Sequence, residues 1–91
     1  ARSCLATRFP YGAALREDAL RRVAKAERVV RELGAAEPLR VRAHGDMARL
    51  ELAPADIPRA AGEWRGELAE RLGGLGFRFV TVDLNGYKEN L

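Results

Sequence analysis

Residues 39–52, LRVRAHGDMARLEL, constrain the fold more than any other stretch of this chain. Apolar and polar side chains alternate strictly on both sides of Gly45-Asp46, the pattern of a β-hairpin closed by a two-residue loop. That loop sets the cross-strand pairs. On one side Leu39 faces Leu52, Val41 faces Leu50 and Ala43 faces Ala48, which makes the core side. The other side sets Arg40 opposite Glu51, Arg42 opposite Arg49 and His44 opposite Met47. Like charges directly opposite each other destabilise a sheet. Arg42 and Arg49 therefore either splay into water or hold an anion between them.

The flanking segments supply what a lone hairpin lacks, a layer to bury its apolar side. Between Arg16 and Leu33 the periodicity is helical, with Ala19, Leu20, Val23, Ala26, Val30 and Leu33 on one arc. Glu17, Arg21, Lys25, Arg28 and Glu32 take the opposite side, and Gly34 ends the helix. Glu27 breaks this division, because it lies at the margin of the apolar arc. Pro54–Leu72 reads as a second helix with Asp56 as N-cap and Ile57, Ala60, Ala61, Trp64, Leu68 and Leu72 facing inward. FRFVTVDL is a third strand with Val80, Val82 and Leu84 toward the helices and Phe79, Thr81 and Asp83 away from them. NGYKEN reads as a turn and a frayed tail. The expected fold is α+β, in the order helix-strand-strand-helix-strand, with a small three-stranded sheet and both helices on one face. Residues 1–15 form a cysteine-bearing connecting segment and 16–91 a single domain.

Composition narrows the function classes. Ninety-one residues, 47% hydrophobic and 32% charged, suit one modest core. No apolar run approaches the ~18 residues of a membrane span, and no signal peptide opens the chain. The chain starts with Ala, which suggests processing or excision from a longer one. Sixteen basic against 13 acidic residues leave a net charge of +3. The signs interleave along the first helix, so the charge reads as solvated surface and no nucleic-acid partner is expected. Gly-rich phosphate loops are absent, and one Cys with one His cannot close a zinc site. His44 reads as an ordinary polar sheet residue.

The one cysteine, Cys4, stands in CLATRFPYG between Arg2 and Arg8. It is either a small packed hydrophobe or a reactive thiol, since neighbouring cations raise the thiolate fraction. A single cysteine forms no internal disulfide and is compatible with a reducing compartment.

CLATRFPYG resembles the Cys-Leu-Ala-Ser/Thr-Arg-x-Pro-Tyr-Gly segment of LarE-type ATP-dependent sulfur transferases. LRVRAHGDMARLEL and GFRFVTVDLNGY resemble later segments of that family in the same order, so the likeness covers essentially the whole chain. It implies the C-terminal part of such a protein, without the N-terminal ATP-pyrophosphatase domain that would bind ATP and Mg. The family's chemistry converts carboxylates of a pyridinium biscarboxylate mononucleotide to thiocarboxylates, for the nickel-pincer nucleotide of lactate racemase. By resemblance Cys4 is the sacrificial sulfur donor, left as dehydroalanine, and the single cysteine argues against an iron-sulfur cluster. Glu27 would act as acid, base or metal ligand, with the metal itself unassigned. Arg8, Arg40, Arg42 and Arg49 would hold the substrate phosphate, and Asp83 is a possible addition. The resemblance further implies a cytoplasmic protein, homo-oligomeric at full length and without membrane partners. The family's Gly-Tyr-Arg-x-Gly-Ser ending is replaced here by GYKENL. The reading from a different class is a non-catalytic binding or oligomerisation module with the same fold.

Overall fold

A computed structural model describes residues 10–88, with side chains from residue 17 onward. Helix α1 spans Pro10–Glu32, strand β1 Arg40–His44 and strand β2 Met47–Glu51. A 3-10 turn at Pro54–Asp56 leads into α2, Ile57–Ala61, then α3, Arg65–Gly74, and strand β3, Phe79–Val82. The sheet order is β1-β2-β3, with β1 antiparallel and β3 parallel to β2. This is the α+β fold expected, in the expected order.

The hairpin has the register that its alternation dictates. Arg40 pairs with Glu51, Val41 with Leu50, Arg42 with Arg49, Ala43 with Ala48 and His44 with Met47. Gly45 sits at φ 64°, the left-handed conformation that a tight turn needs and glycine adopts without a Cβ penalty. Central β2 gives the core Ala48 and Leu50, and Leu52 just beyond it, all fully buried. Ala26, Val29 and Val30 of α1 and Ala60, Trp64, Leu68 and Leu72 of the later helices pack against them. Burying a Leu side chain stabilises a fold by roughly 1.5–3 kcal/mol, so β2 is the strand on which the domain depends.

Four expectations need correction. Helix α1 begins at Pro10 rather than Arg16, in keeping with the preference of proline for the first helical turn. The second helix is broken. Gly62 leaves the helical region at φ −108°, ψ −95°, ending α2, and α3 restarts after the buried Trp64. Asp56 does not cap its own helix. It is buried, its Oδ2 accepts the Ala36 N–H at 2.8 Å, and its Oδ1 accepts from Arg59 at 3.2 Å. The tail does not fray within the described residues. Asp83 Oδ1 accepts the Asn85 N–H at 2.9 Å, and the Tyr87 N–H bonds Leu52 O at 2.9 Å.

The apolar assignments shift at the margins. Ala61 is exposed, as are Leu20 at 63% and Leu84 at 83%, although all three were expected inside. Val29 and Phe77 take core positions instead. The Arg22 guanidinium lies 4.6 Å from the Phe77 ring centroid and donates to Gly45 O at 3.2 Å, tying α1 to the hairpin turn.

Candidate functional site

Helix α1 runs beside β1, and between them lies an open groove of about 460 Å³. Leu20 and Val23 line it from the helix, Val41 and Ala43 from the strand. Its polar lining is Glu27, Arg40, Arg42 and His44. Three residues separated in sequence and singled out there, Glu27, Arg40 and Arg42, thus converge on one concave surface. Exposed Leu20 belongs to this groove, which accounts for an apolar residue left outside the core.

Glu27 sits on the inner margin of α1 for a definite reason. Its Oε2 accepts the Val41 backbone N–H at 3.0 Å, on the side of β1 that faces no strand among the described residues. An unmet edge donor is costly when half buried, and the carboxylate satisfies it. Arg31 Nη2 lies 3.9 Å from the other carboxylate oxygen.

The Arg42–Arg49 pair shares a counter-ion inside the chain. Glu51 lies on the same face, two residues along β2 from Arg49 and diagonal to Arg42. Its Oε2 accepts from Arg49 Nη2 at 3.0 Å, and its Oε1 is 3.5 Å from Arg42 Nε. Glu51 is only 7% exposed, so the two arginines cover their own counter-ion. Arg49 Nε is buried without a hydrogen-bond partner, and Asp83 Oδ2 stands 3.9 Å from it, too far for a hydrogen bond.

Arg40 is held differently. Its guanidinium lies 5.4 Å from the Tyr87 ring centroid, with Nη2 3.4 Å from the phenolic oxygen. Tyr87 is in turn fixed by its N–H to Leu52 O. Gly86 precedes it at φ +79°, where an added Cβ would come within 2.8 Å of Leu52 O. Among the described residues, Arg40 has no carboxylate partner, unlike Arg42 and Arg49.

Glu51 and Tyr87 were not among the site residues expected from sequence. Glu51 was legible in principle, since i and i+2 on a strand share a face. For Tyr87 no signal existed, because the contact joins residues 47 positions apart. Cys4 and Arg8 lie outside the described residues. His44 is exposed at the end of the groove with no hydrogen bond from its ring among the described residues. Two guanidiniums have raised pKa values. Hydrogen bonds donated to Glu37 and Glu32 hold the protons on Arg31 and Arg71 respectively, and both arginines lie outside the groove. Neither creates a pH dependence, because arginine is protonated throughout the accessible range. No three His, Cys, Asp or Glu side chains among the described residues are placed to hold a metal ion. No described helix is long and apolar enough to cross a membrane.

No protein-family model matches the chain. An uncharacterized protein of Synechocystis sp. is 40% identical over 89 residues, 97% of this chain and 33% of that protein. The pyridinium-3,5-bisthiocarboxylic acid mononucleotide synthase of Lactiplantibacillus plantarum is 41% identical over 87 residues, 94% of this chain and 31% of the synthase. The chain thus spans about a third of the length of the curated relatives it matches. By sequence, it is related over nearly all its residues to the LarE-type pyridinium-3,5-bisthiocarboxylic acid mononucleotide synthases.

Proposed function

We propose that this chain is the sulfur-donor, C-terminal portion of an ATP-dependent sulfur transferase. Its substrate would be a pyridinium biscarboxylate mononucleotide, whose carboxylates become thiocarboxylates. The observation that carries the reading is the 41% identity, over 94% of the chain, to a synthase named for that bisthiocarboxylic product. An ATP-pyrophosphatase part in the remainder of the protein would bind ATP and Mg and activate the substrate carboxylate as its acyl adenylate.

The Cys4 thiolate then attacks the acyl carbon and AMP leaves, giving a thioester. A base removes the Cys4 Cα proton and the Cβ–Sγ bond breaks. The sulfur departs with its electron pair as substrate thiocarboxylate, and dehydroalanine stays in the chain. Arg8 would steady the thiolate or the acyl adenylate. Arg40, Arg42 and Arg49 would hold the phosphate, with Asp83 at the edge of that cluster. The groove supports this assignment most directly at Arg40, which is oriented by an aromatic ring and has no carboxylate partner among the described residues. Glu27 is the candidate base in the groove.

The test is the intact mass of the full-length protein after turnover with ATP and the pyridinium mononucleotide. The expected result is a loss of about 34 Da, the hydrogen sulfide removed when cysteine becomes dehydroalanine, mapped to Cys4. Thiocarboxylate product with an unchanged protein mass would overturn the sacrificial mechanism. For Glu27, the informative variant is Glu27→Gln, whose amide oxygen can still accept the Val41 N–H. Retained folding with accumulation of the unresolved thioester is expected. Normal product formation would remove Glu27 from the proton transfer.

A further inference from the structure

The chain stays attached to the sheet after β3 ends at Val82. The Asp83 N–H bonds Leu50 O at 2.9 Å, and the Tyr87 N–H bonds Leu52 O at 2.9 Å. Those two carbonyls are two residues apart on an extended run, about 6.6 Å. Leu84, Asn85 and Gly86 are therefore pushed out between them as a turn. Gly86 N–H closes it on Asp83 O at 3.0 Å, and Asn85 N–H on Asp83 Oδ1 at 2.9 Å, the usual service of Asp in first position. Gly86 is buried with φ +79°, and a Cβ there would come within 2.8 Å of Leu52 O. Glycine thus lets the chain return to that carbonyl.

What the turn delivers is Tyr87. Leu52 follows Glu51, the cross-strand partner of Arg40, so the bond at Leu52 sets Tyr87 at the Arg40 end of the sheet. The ring centroid lies 5.4 Å from the guanidinium, and the phenolic oxygen 3.4 Å from Nη2. Immobilising a free, rotamer-rich side chain on binding weakens a complex by about two- to tenfold. The ring fixes Arg40 beforehand. It brings no formal negative charge, unlike Glu51 beside Arg42, so the cation keeps its charge for an anion. Tyr87 itself does not line the groove between α1 and β1.

We infer that Tyr87 is a positioning residue that sets the site's preference for a phosphorylated nucleotide over the matching nucleoside, without touching the substrate. It acts through Arg40, and the inference rests on the phosphate role proposed above for Arg40. Selectivity then depends on DLNGY, residues 83–87, whose turn is anchored to β2 while the arginine it orients stands on β1. Asp83 enters as the residue that shapes the turn, because its Oδ1 is engaged by the Asn85 N–H. Loss of the ring lowers the affinity for the phosphate-bearing ligand alone, since the nucleoside has nothing for Arg40 to hold.

The experiment is calorimetric titration of the full-length protein with the pyridinium biscarboxylate mononucleotide and with its dephosphorylated nucleoside. Tyr87→Leu removes ring and hydroxyl together, and Tyr87→Phe keeps the ring. Tyr87→Leu should weaken nucleotide binding about fivefold and leave the nucleoside within about twofold. Tyr87→Phe should retain most of the affinity, because the hydroxyl contact at 3.4 Å is long. Added to Arg40→Ala, Tyr87→Leu should have no further effect. If Arg40→Ala leaves the nucleotide's advantage over the nucleoside intact, the phosphate role of Arg40 fails and this inference fails with it. If Arg40→Ala removes that advantage while Tyr87→Leu keeps it, the phosphate role stands and the inference alone is overturned. Equal weakening of both ligands by Tyr87→Leu, or a further loss in the absence of Arg40, assigns Tyr87 to the fold and also overturns it.

Discussion

The two edges of this sheet are treated in opposite ways. At β1, helix α1 lies alongside the strand, and Glu27 accepts a backbone N–H that would otherwise be free to recruit another strand. The arginines on that strand are individually provided for, Arg42 by Glu51 and Arg40 by Tyr87. At β3, the backbone groups of Val80 and Val82 have no partner among the described residues, and the adjoining groove is mainly apolar, with Arg65 in its lining. An edge whose Val41 N–H is already occupied and which is lined with polar groups suits a small anionic ligand. The same three strands therefore present a polar edge on one side and a mainly apolar one on the other.

Both edges hang on β2, and the largest effect should come from there. Leu50→Ala removes a fully buried side chain from the central strand and should cost about 3–4 kcal/mol in urea unfolding. It should disable both edges together. Next is Glu51→Ala, which leaves Arg42 and Arg49 facing each other over an empty position. A loss of about 2–3 kcal/mol is expected, partly recovered when Arg49→Ala is added in a double-mutant cycle. If Glu51→Ala proves neutral, the buried counter-ion does not hold the polar face together.

Smaller changes sharpen the contrast. Glu27→Ala orphans the Val41 N–H and should destabilise by about 1–2 kcal/mol, with Glu27→Gln recovering most of it. Arg40→Ala should leave the melting temperature within a few degrees but weaken binding of the pyridinium mononucleotide by about tenfold, measured by calorimetry on the full-length protein. Unchanged affinity would remove Arg40 from the phosphate site. The smallest effect on stability belongs to Leu84→Lys, within about 0.5 kcal/mol, because Leu84 is 83% exposed.

How the candidate site came to be partly legible is clear from its residues. Glu27 was visible as a charge on the wrong arc of an amphipathic helix, and the structure supplies the reason in a strand N–H. Arg42 and Arg49 were visible as a like-charge pair, but their resolution through Glu51 required knowing the diagonal on the folded sheet. Arg40 attracted notice as a cation, whereas the Tyr87 ring that aims it comes from a tail read as frayed. Periodicity alone puts Leu20 and Leu84 in the core, because hydropathy registers apolar character and not which apolar face is covered.

The sequence by itself determined the hairpin, its turn and its register, down to each cross-strand pair from Arg40–Glu51 to His44–Met47. Period-two alternation around a fixed loop is a local property, and a one-residue slip would turn every apolar side chain to the wrong face. It also determined the α+β order, because each helix carries an apolar stripe that only the sheet can cover. Tertiary structure alone decided that β3 lies beside β2 and parallel to it, with β1 and β3 as the two edges among the described residues. It alone decided where the second helix breaks, and that Tyr87 returns to Arg40. Those outcomes depend on contacts between segments far apart in the chain, and local sequence pattern carries no record of them.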